Sequence, residues 1–368
     1  MLDRTRLRIY PLAERENRVT ISSVAADPDA EPPQIDAAAD RLVDELAGRI
    51  REAREQGRPR IIAFGAHTIK NGAGPLLIRL MEEQWVTLLA TNGAGIIHDW
   101  EFAFLGESSE HVRANVAAGR FGLWEETGRS INLALALGAY RGLGYGASVG
   151  AMIAEQGLTI PSPEELLDAT AEARRNPARA AAAADLLDVI DRAGIRPGRL
   201  EVAHPHASVS VQAAAWMNGL PFTGHPMVGH DIIYTHPLNL GAAVGRTAER
   251  DFLRFADEIS RIDGGVYLSV GSAVMSPMVF EKSLSMAMNL ALQEGRVIKD
   301  HHICVVDLAA SSWDWSRGGE PPPDNPAYYV RFMKTFSRMG GTTTYLQGDN
   351  RTVLAHLCRR LCRRSDGP

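Results

Sequence analysis

The amino-acid sequence predicts an α/β protein with a doubly wound, mostly parallel sheet, and three observations support this prediction. Short apolar runs alternate with amphipathic helical stretches along most of the 368 residues, which is the pattern of parallel βαβ units. Two such units follow one another between Arg60 and Gly106, and each apolar run there opens into a polar, glycine-rich turn. The same alternation resumes at Leu200 and continues almost to the C-terminus.

The predicted elements follow from hydrophobic period and from turn residues. A first helix, Ile35–Gln56, carries Leu42, Leu46 and Ile50 on one stripe. The opening βαβ then comprises strand Ile61–Gly65, helix Pro75–Glu82 and strand Val86–Ala90. Five helices are predicted next, at His111–Ala118, Glu125–Leu137, Ser148–Gln156, Pro163–Arg175 and Ala180–Ala193.

The second half returns to alternating strands and helices. The predicted strands are Leu200–Ala203, Leu220–Thr223, the apolar run Asp231–Thr235, Gly265–Val270, Ile303–Ala309 and Thr342–Gln347. The predicted helices are Val209–Asn218, Thr247–Ile262, Pro277–Glu294, Ala327–Met339 and Arg351–Leu361. We therefore predict an N-terminal extension and linker at 1–34 and one large domain at 35–368, with a helical insertion at about 107–195.

Composition excludes several classes of protein. The formal net charge of -5 argues against a nucleic-acid partner, because no basic face is available to neutralise phosphates. The longest apolar stretch, Ile131–Ala154, contains Arg141 and five glycines and is not predicted to span a membrane. Three cysteines without zinc spacing fit a reducing compartment, so the expected location is the cytoplasm.

The polar turns after the first two predicted strands indicate a ligand site. Residues 66–74 and 91–99 both follow strands, and parallel sheets bind ligands at the carboxyl ends of their strands. Glycines in such turns let main-chain N–H groups approach a phosphate. A third turn, at Gly271-Ser272, also separates a predicted strand from a helix. These turns therefore predict the architecture of a ligand site, for a phosphate or a nucleotide, but they do not define its chemistry.

Several short motifs, read in order, resemble deoxyhypusine synthase, an NAD-dependent enzyme that transfers an aminobutyl group, and the related homospermidine synthases. The matching segments are Ala66–Leu80, Thr91–Asp99, Phe104-Leu105-Gly106, Trp216-Met217-Asn218, His230–Tyr234, Ser269–Ser272, Trp313–Ser316 and Pro323-Asp324. The resemblance implies a deoxyhypusine synthase-like Rossmann-type fold, NAD as cofactor, a small amine or polyamine as substrate, and a homo-oligomer (dimer or tetramer).

The resemblance also implies roles for individual residues. The nucleotide would be held by Asn71, Thr91, Gly93, Gly271 and Ser272. The cationic substrate would be bound by Asp231, Asp314, Glu320 and Trp313. Arg331 falls at the family's imine-forming lysine and cannot lose its proton, so Lys334 is the candidate nucleophile, with His98 or His206 as base.

Two other functions stay open. Five histidines fall within 33 residues, between His204 and His236, and imidazoles near a carboxylate are a common zinc or iron ligand set. The candidate metal ligands are His204, His206, His225 and His230, which would indicate a metal-dependent hydrolase or lyase. The third possibility is a catalytically silent protein that binds NAD or a small molecule.

Overall fold

The computed structural model describes residues 2–311 and 313–362. The strands are β1 Asn17–Thr20, β2 Arg60–Phe64, β3 Leu88–Asn92, β4 Glu107–Glu110, β5 Gly157–Ile160, β6 Gly198–Glu201, β7 Phe222–His225, β8 Val266–Val270, β9 His302–Asp307 and β10 Thr342–Gln347. The helices are α1 Ile21–Val24, α2 Ala37–Glu55, α3 Ala66–Lys70, α4 Gly74–Glu82, α5 Gly93–Leu105, α6 Val112–Ala117, α7 Glu125–Arg141, α8 Tyr145–Ala154, α9 Pro163–Ala171, α10 Pro177–Ala193, α11 Val211–Met217, α12 Gly241–Ile259, α13 Met275–Gln293, α14 Arg331–Phe336 and α15 Asn350–Cys362.

The main sheet has six strands in the order β10-β9-β8-β2-β3-β7. Strand β2 pairs in parallel with β3 and with β8, so that Ile62 lies opposite Leu89 on one side and Leu268 on the other. Strands β8, β9 and β10 are also parallel neighbours. The predicted doubly wound, parallel α/β fold is confirmed.

Alternation along the central strands explains why helices cover both faces of this sheet. Ile61 and Ala63 are buried in one core with Phe255 and Ile259 of α12 and Phe280 of α13. Ile62 and Leu268 line a small apolar space with residues of α2, α4 and α15. Because successive side chains of a strand point to opposite faces, the apolar run of β2 contributes side chains to the cores on both faces of the sheet.

The chain divides into two compact units. The first comprises Met1–Ser23, Ile96–Met217 and Phe222–Asp251, and the second comprises Val24–Gly95, Asn218–Pro221 and Phe252–Pro368. The first unit contains the helical region predicted at 107–195 together with the N-terminal 23 residues. The second contains strands β2, β3, β8, β9 and β10 and the cores on their two faces.

The first unit is built around helix α7, which is buried along its length from Ile131 to Tyr140. A Cβ atom at Gly138 would lie 1.8 Å from the Oγ atom of Ser148 in α8, so the glycine permits the close packing of these two helices. Among the described residues, none of the helices combines the length and hydropathy that crossing a bilayer requires.

Asp251 joins three segments of the first unit. Its Oδ2 atom accepts the main-chain N–H groups of Gly146 (2.9 Å) and Gly224 (2.7 Å), and the residue is 5% exposed. Burial raises the pKa of Asp251 to about 7, although the main-chain donors act in the opposite direction. A buried acceptor that satisfies two buried donors is costly to remove.

We expect Asp251→Ala to lower the free energy of unfolding by about 2–4 kcal/mol, because it leaves two buried N–H groups unpaired. Chemical denaturation followed by circular dichroism measures this loss. Asp257→Ala is the matched control on the same helix, since Asp257 forms an exposed pair with Arg261 and should change stability by less than about 0.5 kcal/mol. Equal losses in the two variants would contradict this account of Asp251.

Candidate functional site

The carboxyl ends of the strands lie along one border of the main sheet, hereafter the carboxyl edge. This border contains a topological switch point. Numbered by their order along the chain, its strands run 6-5-4-1-2-3, which is the Rossmann arrangement read from the opposite edge. The chain passes from β2 to β3 on one side of β2, whereas β8 continues to β9 and β10 on the other side. Ligands of open α/β sheets bind where connections diverge in this way.

Two glycines bring the turns after β2 and β8 together at this point. A Cβ atom at Gly65 would lie 2.1 Å from the carbonyl oxygen of Gly271, which is too close for any side chain. Gly271 itself has φ +55°, and a Cβ there would lie 2.1 Å from the Asn350 amide nitrogen. Only glycine combines this backbone conformation with this approach.

Polar side chains of the second unit surround the same turns. The amide of Asn350 donates to the Thr68 hydroxyl at 3.3 Å, and the Thr91 hydroxyl donates to the Phe64 carbonyl at 2.9 Å. The Ser272 hydroxyl accepts the N–H of Ser276 at 3.2 Å. The Ser269 hydroxyl is buried and has no hydrogen-bond partner in the described structure. These groups are hydroxyls and amides without charge.

The structure brings four of the five predicted nucleotide-binding residues to this edge. Thr91 is the last residue but one of β3 and Gly93 begins α5, while Gly271 and Ser272 lie between β8 and α13. Since β2 is the shared neighbour of β3 and β8, these turns are about 10 Å apart by strand spacing. Asn71 lies further along, as the exposed residue after the short helix α3.

Helices α5 and α13 both begin at this edge, and neither has an acidic residue in its first turn. The dipoles of these two helices therefore favour an anion there. At the end of β3, where dinucleotide-binding folds often carry a carboxylate, this chain has Asn92. Its Oδ1 atom accepts the N–H of Gly95 at 2.9 Å.

Lys334 and Glu320, which were predicted to act separately, form an ion pair with each other. The Nζ atom of Lys334 lies 3.3 Å from Glu320 and 3.5 Å from the centre of the Tyr328 ring. Arg338 also contacts the Glu320 carboxylate. The charge of Glu320 is thus shared with two cations of the chain.

Asp314 and Trp313 lie in the same part of the second unit. Asp314 is exposed and accepts the N–H of Ser316 at 3.1 Å and that of the Arg317 guanidinium at 2.9 Å. The hydrogen bonds from Ser316 hold the pKa of Asp314 below its usual value. Trp313 is half-buried and its indole N–H has no partner among the described residues. Their assigned substrate role stays a prediction.

The four candidate metal ligands do not come together. His204 is buried edge-on against Trp100 and Phe104, and burial lowers its pKa to about 4. His225 is buried and contacts the Thr223 hydroxyl at 2.9 Å, whereas His206 and His230 are exposed. In the described part of the chain, no three histidine, cysteine or acidic residues are placed to hold a metal ion. The structure gives the predicted zinc or iron site no support.

Asp231 was predicted at the head of a strand, but the structure places it before a single 3-10 turn, Ile232–Thr235. The apolar run that suggested a strand is a partly buried 3-10 turn in the first unit, in which Ile233 alone is fully buried. Asp231 is 9% exposed, and burial raises its pKa to about 7.

His98 belongs to a buried hydrogen-bond chain that sequence reasoning missed. Its Nδ1 atom lies 2.7 Å from the Ser108 hydroxyl, and that hydroxyl donates to Glu101 Oε2 at 2.6 Å. Glu101 Oε1 pairs with Arg15 at 2.6 Å, and both side chains are almost fully buried. Arg15 is 86 positions from Glu101 in the sequence, so no local spacing pattern signals the pair.

This chain of contacts fixes the tautomer of His98. Burial opposes the charged form of Glu101, but Arg15 and the hydrogen bonds outweigh burial and hold the pKa of Glu101 below its usual value. The carboxylate therefore only accepts, and the single Ser108 hydroxyl proton points to it. Ser108 then accepts from Nδ1–H of His98.

The strand order of the main sheet and the glycine turns at its carboxyl edge together define a Rossmann-type α/β protein. No family model matches the chain, and no curated protein matches it. Among solved structures it is similar to unliganded AgrE (15% identity, TM-score 0.45) over 90% of this chain and 34% of that one. It is also similar to ArgZ, an arginine dihydrolase from the ornithine–ammonia cycle in cyanobacteria (15%, 0.43), over 89% and 32%. A putative LOR/SDH protein from Methanococcus maripaludis S2 (12%, 0.43) matches over 96% and 76%.

These similar structures correct the family inferred from the sequence. They are AgrE, ArgZ and a putative LOR/SDH protein rather than deoxyhypusine synthases, so the family resemblance and the aminoalkyl transferase activity drawn from it are wrong. The sequence motifs on which the resemblance was based are only a few residues long. AgrE has been crystallised with ornithine and NAD+, but this chain spans about a third of the AgrE and ArgZ chains.

Replacing Arg15 by Met tests the buried network. At neutral pH it leaves Glu101 as an unpaired buried charge, and we expect a loss of about 3–5 kcal/mol in the free energy of unfolding. Because the pKa of Glu101 is lowered in the native protein, the stability from the pair is present above the unfolded-state pKa of about 4.5 and is lost as pH falls further.

Urea unfolding at several pH values measures both effects. The difference in free energy of unfolding between the wild-type protein and Arg15→Met should become smaller at acidic pH, since a protonated Glu101 does not need a positively charged partner. Arg129→Met is the control, because Arg129 forms an exposed pair with Glu125 at 3.5 Å and such pairs contribute about 0–1 kcal/mol. A pH-independent difference would show that Arg15 acts only through packing.

Proposed function

We propose that this chain is a Rossmann-type enzyme that binds NAD at the carboxyl edge of its main sheet. The observation that carries the proposal is the close approach of Gly65 and Gly271 at the switch point, in a sheet with dinucleotide-binding strand order. A dinucleotide needs main chain without side chains at this place, so that its pyrophosphate can reach N–H groups.

The groups at the edge fit such a ligand in charge and in chemistry. The turns after β3 and β8 lead into α5 and α13, whose first turns contain no acidic residue, so the pyrophosphate meets no repelling charge. The buried Ser269 hydroxyl has no protein partner within the described chain and can donate to, or accept from, a bound group. Thr91 and Asn350 are already oriented by hydrogen bonds to Phe64 and Thr68.

The cofactor, when bound, would supply the acceptor or donor of a hydride. The described side chains that we assign to the switch point are hydroxyls and amides, so their part is to bind and orient the nucleotide. They do not exchange protons near neutral pH. In this proposal the second unit is the cofactor-binding part of the enzyme, and its acid or base lies outside these switch-point groups.

Titration calorimetry with NAD tests the proposal directly. We expect saturable binding of one NAD per chain and a rise in thermal midpoint, because a ligand that binds only the native state stabilises it. Gly271→Ala should weaken NAD binding by about tenfold or more, since the new Cβ displaces the Asn350 amide and strains a backbone at φ +55°.

Gly295→Ala is the matched control. Gly295 also has positive φ, at +71°, but a Cβ there meets nothing within 4 Å. Both variants should lose a similar amount of stability from backbone strain, about 1–2 kcal/mol, while only Gly271→Ala loses affinity. Failure of the wild-type protein to bind NAD at millimolar concentration would refute the proposal, and equal affinity loss in both variants would remove Gly271 from the site.

A further inference from the structure

The helix α15 carries two cysteines whose sulfur atoms are in contact. Cys358 and Cys362 lie one helical turn apart, and their Sγ atoms are 3.8 Å from each other. Cys358 is fully buried, whereas Cys362 is half-buried and ends the helix. Spacing along the sequence places the two thiols on one face of a helix. The structure adds that they touch, which makes them a dithiol pair.

The distance between the two sulfur atoms favours a bridging ion over a direct bond. A disulfide needs its two Cβ atoms about 3.5–4.5 Å apart, but residues at i and i+4 of a helix hold theirs about 5–6 Å apart. A regular helix therefore opposes a disulfide between these residues. A tetrahedral ion with metal–sulfur distances of about 2.3 Å separates two of its sulfur ligands by about 3.8 Å. The Sγ atoms of Cys358 and Cys362 already have this separation.

The charges around the pair also suit a cation. Contact with Cys362, helped by the Arg79 guanidinium, holds the pKa of Cys358 below its usual value. Burial and the carboxylates of Glu83 and Asp29 act in the opposite direction. The same contact raises the pKa of Cys362. The second proton is retained because two thiolates in contact repel each other, and a divalent ion between them removes this repulsion.

We propose that Cys358 and Cys362 form a binding site for a thiophilic d10 metal ion, such as zinc or cadmium, hereafter the dithiol site. The ion replaces the two thiol protons and is bound by both Sγ atoms, since thiolates select soft ions. In the described part of the chain, no group of three histidine, cysteine or acidic residues is placed to hold a metal. The protein therefore supplies two ligands, and water completes the coordination. The dithiol site does not depend on NAD binding.

Titration of the reduced protein with cadmium chloride tests the dithiol site. Cadmium–thiolate bonds give an ultraviolet charge-transfer band, which cadmium bound only to histidine or carboxylate ligands does not give. We expect this band to reach a plateau at one cadmium per chain, with the release of protons from the two thiols. The thermal midpoint should rise with the same saturation, because the ion binds the native helix.

Cys362→Ser removes the half-buried sulfur, so it perturbs the core less than a change at Cys358. It should abolish the band and weaken cadmium binding by about tenfold or more, since even the partners of metal ligands contribute about that much. Cys304→Ala is the matched control. Cys304 is buried in β9 and burial raises its pKa to about 12, so its removal should leave the plateau and the affinity unchanged.

Three results would rule out the dithiol site. The first is the absence of the band in wild-type protein that contains three free thiols, counted with a thiol reagent after denaturation. The second is cadmium binding by Cys362→Ser as tight as that by the wild-type protein. The third is a disulfide between Cys358 and Cys362 in the native protein, detected by mass spectrometry, because the geometry of α15 opposes that bond.

Discussion

The close approach of two main-chain turns, at Gly65 and Gly271, is the constraint on which the second unit depends. Gly65 N–H donates to the carbonyl of Val270, and Gly271 N–H donates to that of Val306, so the turns after β2 and β8 continue the ladder beyond the strands. A side chain at Gly65 would meet the carbonyl of Gly271 and separate β2 from β8, which are the central strands of the sheet, whereas one at Gly271 would meet the amide of Asn350. The contact between these two turns therefore requires residues without side chains at the carboxyl ends of β2 and β8.

In the first unit, the main constraint is the burial of ionisable side chains. Glu101 is neutralised by Arg15, and Asp251 is satisfied by main-chain donors. Asp231 has an oxygen without a partner in the described structure. Burial raises the pKa of Asp251 and Asp231 to about 7, so both carboxyls keep a proton to higher pH in the native protein than in the unfolded chain. Their contribution to stability is full below pH 4 and is lost as pH rises through about 7.

The sequence predicted the sheet well because that information is local. Ile61–Phe64 and Val266–Val270 are apolar on both faces, as buried parallel strands must be, and the turns after them were correctly expected to meet at one edge. The run Ile232–Tyr234 was misread as a strand because a short apolar segment has no period that separates strand from buried turn.

The candidate sites were harder to predict because their partners are distant along the chain. The link of Arg15 to Glu101 spans 86 positions, and that of Asn350 to Thr68 spans 282. No rule of sequence spacing predicts either of these pairs. The family resemblance failed for a related reason, since short glycine and aromatic motifs are shared by many folds with similar turns. Lys334, chosen as a nucleophile by counting along one helix, pairs with Glu320 instead.

The amide of Asn92 has a consequence for the choice between coenzymes. In dinucleotide-binding folds a carboxylate at the end of the second strand hydrogen-bonds the adenosine ribose and repels a phosphate on its 2′ oxygen. Asn92 ends β3 with a neutral side chain that is already engaged with Gly95. In the proposed nucleotide site this position therefore sets no electrostatic barrier against NADP, and any discrimination between the two nicotinamide coenzymes would have to be made by other groups.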